Sequence, residues 1–288
     1  VATASGPVGW VDARQLPVGP AAPGAPRSAA SPSVAPTAPL PAGRPGEPRF
    51  YAIIPANMGT IFLVLFYIVL VILITPFIVF CVLTGLRDPL IAVGQWAMRV
   101  SRRILGIKVE VSGLDRIDPR TALIFMPNHL SFLDGPLLEM LIPGAARVVL
   151  KKSVMRIPVV GLGMRFVGFI PVDRKGAEGG KKSIASAVRM VREKGYSFLI
   201  FPEGTRSRDG RLQAFRRGGF FLAVASGAPI VPVTIRGTFE LMPKGQKYAR
   251  KGTVQVVFHD PIPAAGYTPE TMTGLMDKVR RAILSFEG

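Results

Sequence analysis

Cysteine is nearly absent from this chain. The single Cys81 excludes an internal disulfide framework and a thiolate zinc site, and the two histidines, His129 and His259, leave little from which to build any metal centre. Chemistry without a metal or a resident cofactor is therefore expected. Acidic residues are scarce as well: 18 Asp and Glu face 36 Lys and Arg, a formal charge of +18. Such an excess points to an anionic partner, whether nucleic acid, a phosphorylated substrate or acidic lipid. There is no P-loop or zinc-finger spacing, and aromatics do not interleave with the basic residues, so nucleic acid is set aside. Two local absences matter more. Residues 1–50 have few large apolar side chains and no periodicity, which reads as a disordered Ala/Pro-rich tail that cannot offset the entropy of ordering. Residues 51–86 lack charge altogether.

That uncharged stretch is almost wholly apolar from Met58 to Leu83, longer than the ~20 residues a helix needs to cross a bilayer. It reads as a membrane segment. Pro76 removes a backbone donor within it, leaving open whether the segment spans with a kink or dips in and returns. Arg87, Arg99, Arg102, Arg103 and Lys108 follow closely, whereas the four arginines of the tail are spread thinly. This bias favours a cytoplasmic C-terminal side, as at an inner (cytoplasmic) membrane. Over residues 87–106, Leu90, Val93, Trp96, Val100 and Ile104 recur at helical spacing with arginines opposite, the pattern of an amphipathic helix at headgroup level. Residues 87–288 carry 32 basic and 16 acidic side chains, +16 of the total charge, which suits an anionic membrane surface and substrate.

Residues 107–288 alternate short apolar runs with helical patterns. Strands are expected over 108–111, 122–126, 147–150, 169–172, 197–201, 230–235 and 253–258, and helices over 132–142, 178–194, 215–226 and 269–286. The fold class is α/β: a sandwich of helices around a mixed, largely buried sheet, preceded by the membrane-embedded helix. At 288 residues the chain has room for one ordinary catalytic domain with these additions.

Two polar loops follow strands. NHLSFLD, Asn128 to Asp134, puts His129 in a strand-to-helix turn. On one ideal helix, residues five apart sit ~140° apart, so His129 and Asp134 could not share a face unless His129 precedes the helix. In that case Asp134 can fix the imidazole tautomer while the other ring nitrogen takes a proton from a hydroxyl. The alternative is a helix capping box, Ser131 to Asp134. The second loop is FPEGTRSRDG, where Arg206 is suited to grip a phosphate and Gly204 lets backbone amides approach an anion. Glu203 could hold that arginine, or the two could form a purely structural ion pair. Arg174, ending GFIPVDR, and Lys152, in KKSVMRIPVVG, are further cations that follow strands. His259, in VVFHDP, reads as structural or exposed.

In this order NHLSFLD, GFIPVDR, FPEGTRS and IVPV at 230–233 resemble the four blocks of the glycerolipid acyltransferases, above all those acting on 1-acylglycerol-3-phosphate. The resemblance covers roughly residues 100–260. It implies His129 as general base, Asp134 as its orienting acid, and Arg174, Glu203, Gly204, Thr205 and Arg206 as the acceptor-phosphate site with help from Lys152. Pro232 is implied to shape the acyl pocket. The co-substrate implied is acyl-CoA or acyl-carrier protein, and the acceptor a lysophospholipid. Ser153 departs from the family, which often has an acidic residue there, and so does the Ala/Pro tail. A covalent route through a protein nucleophile has little support: no serine sits in a G-x-S-x-G elbow, Cys81 lies in the apolar segment, and Ser131 is the one local candidate. Rival readings are an acyltransferase for another lysolipid, such as lyso-ornithine lipid or lysophosphatidylcholine, a lipid hydrolase, and a non-enzymatic basic membrane scaffold.

Overall fold

The computed structural model describes residues 56–286 apart from 145, 158 and 173–176. The tail read over 1–50, the start of the apolar segment and Arg174 therefore lie outside the described residues. The chain enters as α1, Ala56–Thr84, whose stretch Ile61–Thr84 is long and apolar enough to cross a membrane. Its 24 residues rise about 36 Å at ~1.5 Å each, against a hydrocarbon core of ~30 Å. Pro76 lies inside this helix without ending it. Most of α1 exposes apolar side chains, Phe62, Leu65 and Leu73 among them. Towards its C-terminal end it seats Ile78, with Ile74 and Phe77, against Leu90, Ile91 and Val167, and further back Tyr67 accepts a hydrogen bond from Ser101 Oγ (3.0 Å).

α2, Asp88–Ile104, is amphipathic as expected and has Pro in its first turn. Its buried face is Leu90, Ile91, Ala97 and Ser101, so Trp96 is left half exposed beside Phe66 of α1.

Seven strands then form one sheet: β1 Ile107–Ser112, β2 Ile124–Pro127, β3 Arg147–Lys151, β4 Ile170–Val172, β5 Phe198–Leu199, β6 Ile230–Arg236 and β7 Gly252–Phe258. Their spatial order is β1-β7-β6-β2-β5-β3-β4, parallel throughout except for the antiparallel β6–β7 pair. The side-chain period of two divides each central strand between two cores. Phe125 of β2 joins Leu137 and Leu138 of helix α3, Asp134–Leu141, on one face. Ile124 and Met126 join the other, packed by α5, Ala177–Lys194, α6, Arg217–Ser226, and α8, Met272–Leu284. Burial on both sides explains why β2 and β6 read as unbroken apolar runs. Two short helices were not foreseen, α4 at Val160–Phe166 and α7 at Thr238–Leu241.

Strands β2, β3, β4, β5 and β6 run in one direction, so their C-terminal ends share one edge of the sheet. The turn holding His129, Lys152, the loop after β5 and the end of β6 all emerge there.

Candidate active site

The turn after β2 is fixed before any helix begins. Asn128 is buried, and its side chain bonds the backbone of Ile235 twice, Nδ2 donating to the carbonyl (2.9 Å) and Oδ1 accepting the amide (2.7 Å). This lengthens the β2–β6 pairing by side-chain means and sets the direction in which the next residue leaves the sheet. That residue is His129. Its Nδ1 lies 2.9 Å from Oδ2 of Asp134, the first residue of α3. The same oxygen accepts the amides of Leu130 and Ser131, each at 2.7 Å. The carboxylate holds the turn and the ring at once, and the segment is not a helix capping box, because α3 begins at Asp134 with Leu133 at its N-cap and no side-chain cap bond. With Asp134 accepting, Nδ1 carries the proton, and the lone pair sits on Nε2. Nε2 makes no hydrogen bond with any described residue, and 15% of the His129 side chain remains exposed while Asp134 is fully buried. The ring face stacks on Phe201, 3.8 Å between centroids.

The loop after β5 is tied to the same turn. Glu203, 2% exposed, accepts the His129 amide on Oε1 (2.6 Å) and both the amide (2.9 Å) and Nε2 (3.1 Å) of Gln213 on Oε2. Burial raises the Glu203 pKa above the ordinary carboxylate value, partly offset by the bonds from Gln213 and His129. In the other direction, the Ser207 amide donates to the His129 carbonyl (2.8 Å). Among the described residues no ion pair joins Glu203 to Arg206; the carboxylate spends its lone pairs on the two loops instead.

Gly204 takes φ +70°, which L side chains avoid, and the Arg216 side chain passes so close that a Cβ would meet its Cδ at 2.7 Å. Lys244 reaches the loop too, donating to Thr205 Oγ1 (3.1 Å) and the Arg206 carbonyl (3.2 Å). Arg206, Arg216 and Lys244 therefore gather positive charge on the loop beside His129. Lys152 stands at the same sheet edge, exposed, opening the turn after β3. Pro232 is buried in the middle of β6 level with Met126, three residues before His129, and its carbonyl accepts the His259 amide (3.0 Å).

Ser131 is fully buried, its hydroxyl donating to the Met242 carbonyl (2.7 Å) and accepting the Leu133 amide (3.2 Å). His259 follows the antiparallel β7 at the opposite sheet edge and bonds Thr234 Oγ1 (2.8 Å); burial lowers its pKa.

Gln213, Arg216 and Lys244 were not singled out from sequence. Arg216 lies in AFRRGG at 214–219, outside the four blocks, and nothing local marks Gln213 or Lys244.

Residues 108–236 match the family model described as "Acyltransferase". Among curated relatives, 1-acyl-sn-glycerol-3-phosphate acyltransferase BAT2, chloroplastic, of Brassica napus is 35% identical over 158 residues, 54% of this chain and 45% of that one. The alpha form of the human 1-acyl-sn-glycerol-3-phosphate acyltransferase is 30% identical over 182 residues, 63% of this chain and 64% of that one. The chain thus spans less than two thirds of the length of these relatives. The crystal structure of the 1-acyl-sn-glycerophosphate (LPA) acyltransferase PlsC from Thermotoga maritima superposes with a TM-score of 0.67 at 23% identity, covering 80% of this chain and 96% of that one. That likeness shows the fold.

Proposed function

We propose that this protein transfers a fatty acyl group from a thioester, acyl-CoA or acyl-carrier protein, to the free hydroxyl of 1-acyl-sn-glycerol-3-phosphate, giving phosphatidic acid, a reading supported by the match of residues 108–236 to the acyltransferase model and by the names of the relatives. The observation that carries the reading is the His129 Nδ1–Asp134 contact at 2.9 Å, which leaves Nε2 as an oriented base next to a cation-bearing loop. The acceptor hydroxyl gives its proton to Nε2 as its oxygen attacks the thioester carbonyl. Asp134 steadies the imidazolium that forms, and the proton then passes to the departing thiolate as the tetrahedral intermediate collapses. No protein nucleophile is required, and Ser131 is buried with its hydroxyl engaged at both ends.

In this reading Thr205 and Arg206, with Arg216, face the acceptor phosphate, while Gly204 gives it room. Lys152 contributes from the same sheet edge, Arg174 joins it in binding that phosphate, and Pro232 shapes the acyl pocket. Glu203 serves the site by holding the His129 turn against the phosphate loop. Residues 51–86 anchor the protein, 87–106 lie at the headgroups, and 107–288 form the catalytic domain. The basic flank of α1 supports a cytoplasmic placement of that domain at an inner membrane. Purified protein given one labelled acyl thioester and a panel of lysolipids tests this directly. Lysophosphatidic acid is expected to be the preferred acceptor, with little free fatty acid. Preference for lyso-ornithine lipid or lysophosphatidylcholine would reassign the acceptor, and release of fatty acid as the main product would make the protein a hydrolase.

A further inference from the structure

A cavity of about 570 Å³ opens at the same sheet edge as His129, yet His129 does not line it. Its wall includes Asn128 and Leu130, the residues on either side of the base, and the ends of β6 and α8. Three arginines line it, Arg211, Arg236 and Arg280, against one carboxylate, Glu240, an excess of two positive charges. Among the described residues none of the three arginines is ion-paired to an Asp or Glu. Two are held in place by other means. Arg280 donates to the carbonyls of Gln213 (2.8 Å) and Leu212 (3.4 Å), and Arg236 lies over the Phe286 ring, 4.9 Å to its centroid. A guanidinium has five N–H donors in a rigid fork, so anchoring of this kind orients the donors that remain. Like charges collected in one cavity repel, and an anion bound among them relieves that cost while gaining charge-assisted hydrogen bonds.

The geometry points to a subsite for the phosphate-bearing end of the thioester donor, and we propose that Arg211, Arg236 and Arg280 bind it there. This rests on the acyl-transfer reading. The acceptor is a poor fit for the cavity, because its phosphate lies one carbon from the carbon bearing the reacting hydroxyl and must sit next to His129. The donor's phosphates are separated from its thioester by the whole pantetheine arm. They need a cationic site that neighbours the base without including it, and this cavity has that position. A phosphate on the pantetheine arm is common to acyl-CoA and acyl-carrier protein; the additional adenosine phosphates belong to CoA alone.

The test uses the full chain in detergent micelles and the double variant Arg211→Ala/Arg236→Ala, which leaves Arg280 and its backbone bonds intact. KM for acyl-CoA is expected to rise roughly tenfold, about the loss of one charge-assisted hydrogen bond, with KM for lysophosphatidic acid unchanged. Arg211→Lys/Arg236→Lys should recover part of the loss. A smaller rise with acyl-carrier protein assigns the arginines to the adenosine phosphates, and an equal rise assigns them to the pantetheine phosphate. Adenosine 3′,5′-bisphosphate is the binding probe, measured calorimetrically and without turnover, with inorganic phosphate in parallel. Arginine-dependent binding of the bisphosphate by a protein that transfers no acyl group would sink the transfer reading and keep the anion site. Turnover with the donor KM unmoved in the double variant would sink the subsite and keep the transfer reading. Inorganic phosphate binding as tightly as the bisphosphate, or a rise in the lysophosphatidic acid KM alone, also overturns the donor assignment.

Discussion

Replacing Asp134 with Asn removes a charge while keeping an oxygen where Oδ2 stands. That oxygen accepts three N–H groups, from the His129 ring and from the amides of Leu130 and Ser131. An amide oxygen can still accept all three, so the turn and the ring tautomer should survive. What is lost, in the proposed mechanism, is the attraction between the carboxylate and the imidazolium that forms when His129 takes the proton. At an effective dielectric constant near 20, two unit charges this close attract by roughly 5 kcal/mol. With about half the charge developed in the transition state, ~2–3 kcal/mol is lost, or about a hundredfold in rate. The stability effect has a separate origin. Asp134 Oδ1 is buried with no hydrogen-bond partner among the described residues, and the amide NH2 of Asn would occupy its place with its donors unmet. That costs about 1–3 kcal/mol. The assay is steady-state acyl transfer on protein whose fold is verified by circular dichroism, with a parallel thermal melt. The expected result is kcat lower by about two orders of magnitude, little change in either KM, and a lower Tm. A folded Asp134→Asn protein within threefold of the wild-type kcat would refute the orienting role.

Ser131→Ala should keep substantial acyl transfer, since the hydroxyl is already bonded to Met242 and Leu133, while lowering stability by about 1 kcal/mol; abolished turnover in a folded variant would restore the covalent route. Gln213→Ala removes the side-chain bond to Glu203 but not the backbone one, so kcat should fall severalfold with KM for the donor unchanged, and Gln213→Glu should fall further because it sets two carboxylates together. Glu139 has both carboxylate oxygens buried without a hydrogen-bond partner among the described residues, and burial pushes its pKa up to about 8, only partly offset by Arg147. A raised carboxyl pKa means the folded state holds the proton more tightly than the unfolded chain. Stability from this group is thus complete below about pH 4.5 and declines as pH rises towards about 8. Glu139→Gln should flatten that decline in a pH series of chemical denaturation midpoints, and an unchanged slope would contradict it.

Much of the architecture was legible because both faces of the sheet are covered. Strands such as Ile124–Pro127 and Ile230–Arg236 must then be apolar throughout, and all seven strands fell where apolar runs had been read. Boundaries moved where side chains competed with the helix ladder. α3 starts at Asp134 instead of 132 because the Asp134 carboxylate and Ser131 hydroxyl hold the amides of residues 130, 131 and 133 in a turn. α6 starts at Arg217 instead of 215 because the Arg216 amide is committed to the Pro202 carbonyl. α4 and α7 escaped notice for lack of length, and α4 also carries Gly161 and Gly163, poor helix formers. The His129–Asp134 pair was readable because it is local. Glu203 was placed in the right loop with the wrong partner, since Gln213 approaches it through a fold of the chain that no local spacing announces. Lys244 and Arg280 likewise arrive from later elements.

The central claim is that the imidazole at position 129 takes the proton from the lipid alcohol, and it meets its most direct test in the rate of phosphatidic acid formation by His129→Ala. With labelled acyl-CoA and lysophosphatidic acid, and with folding confirmed by an unchanged circular dichroism spectrum, a loss of about 10²–10⁴-fold in kcat is expected at little cost to either KM. A folded variant that retains a tenth or more of the wild-type rate would contradict it.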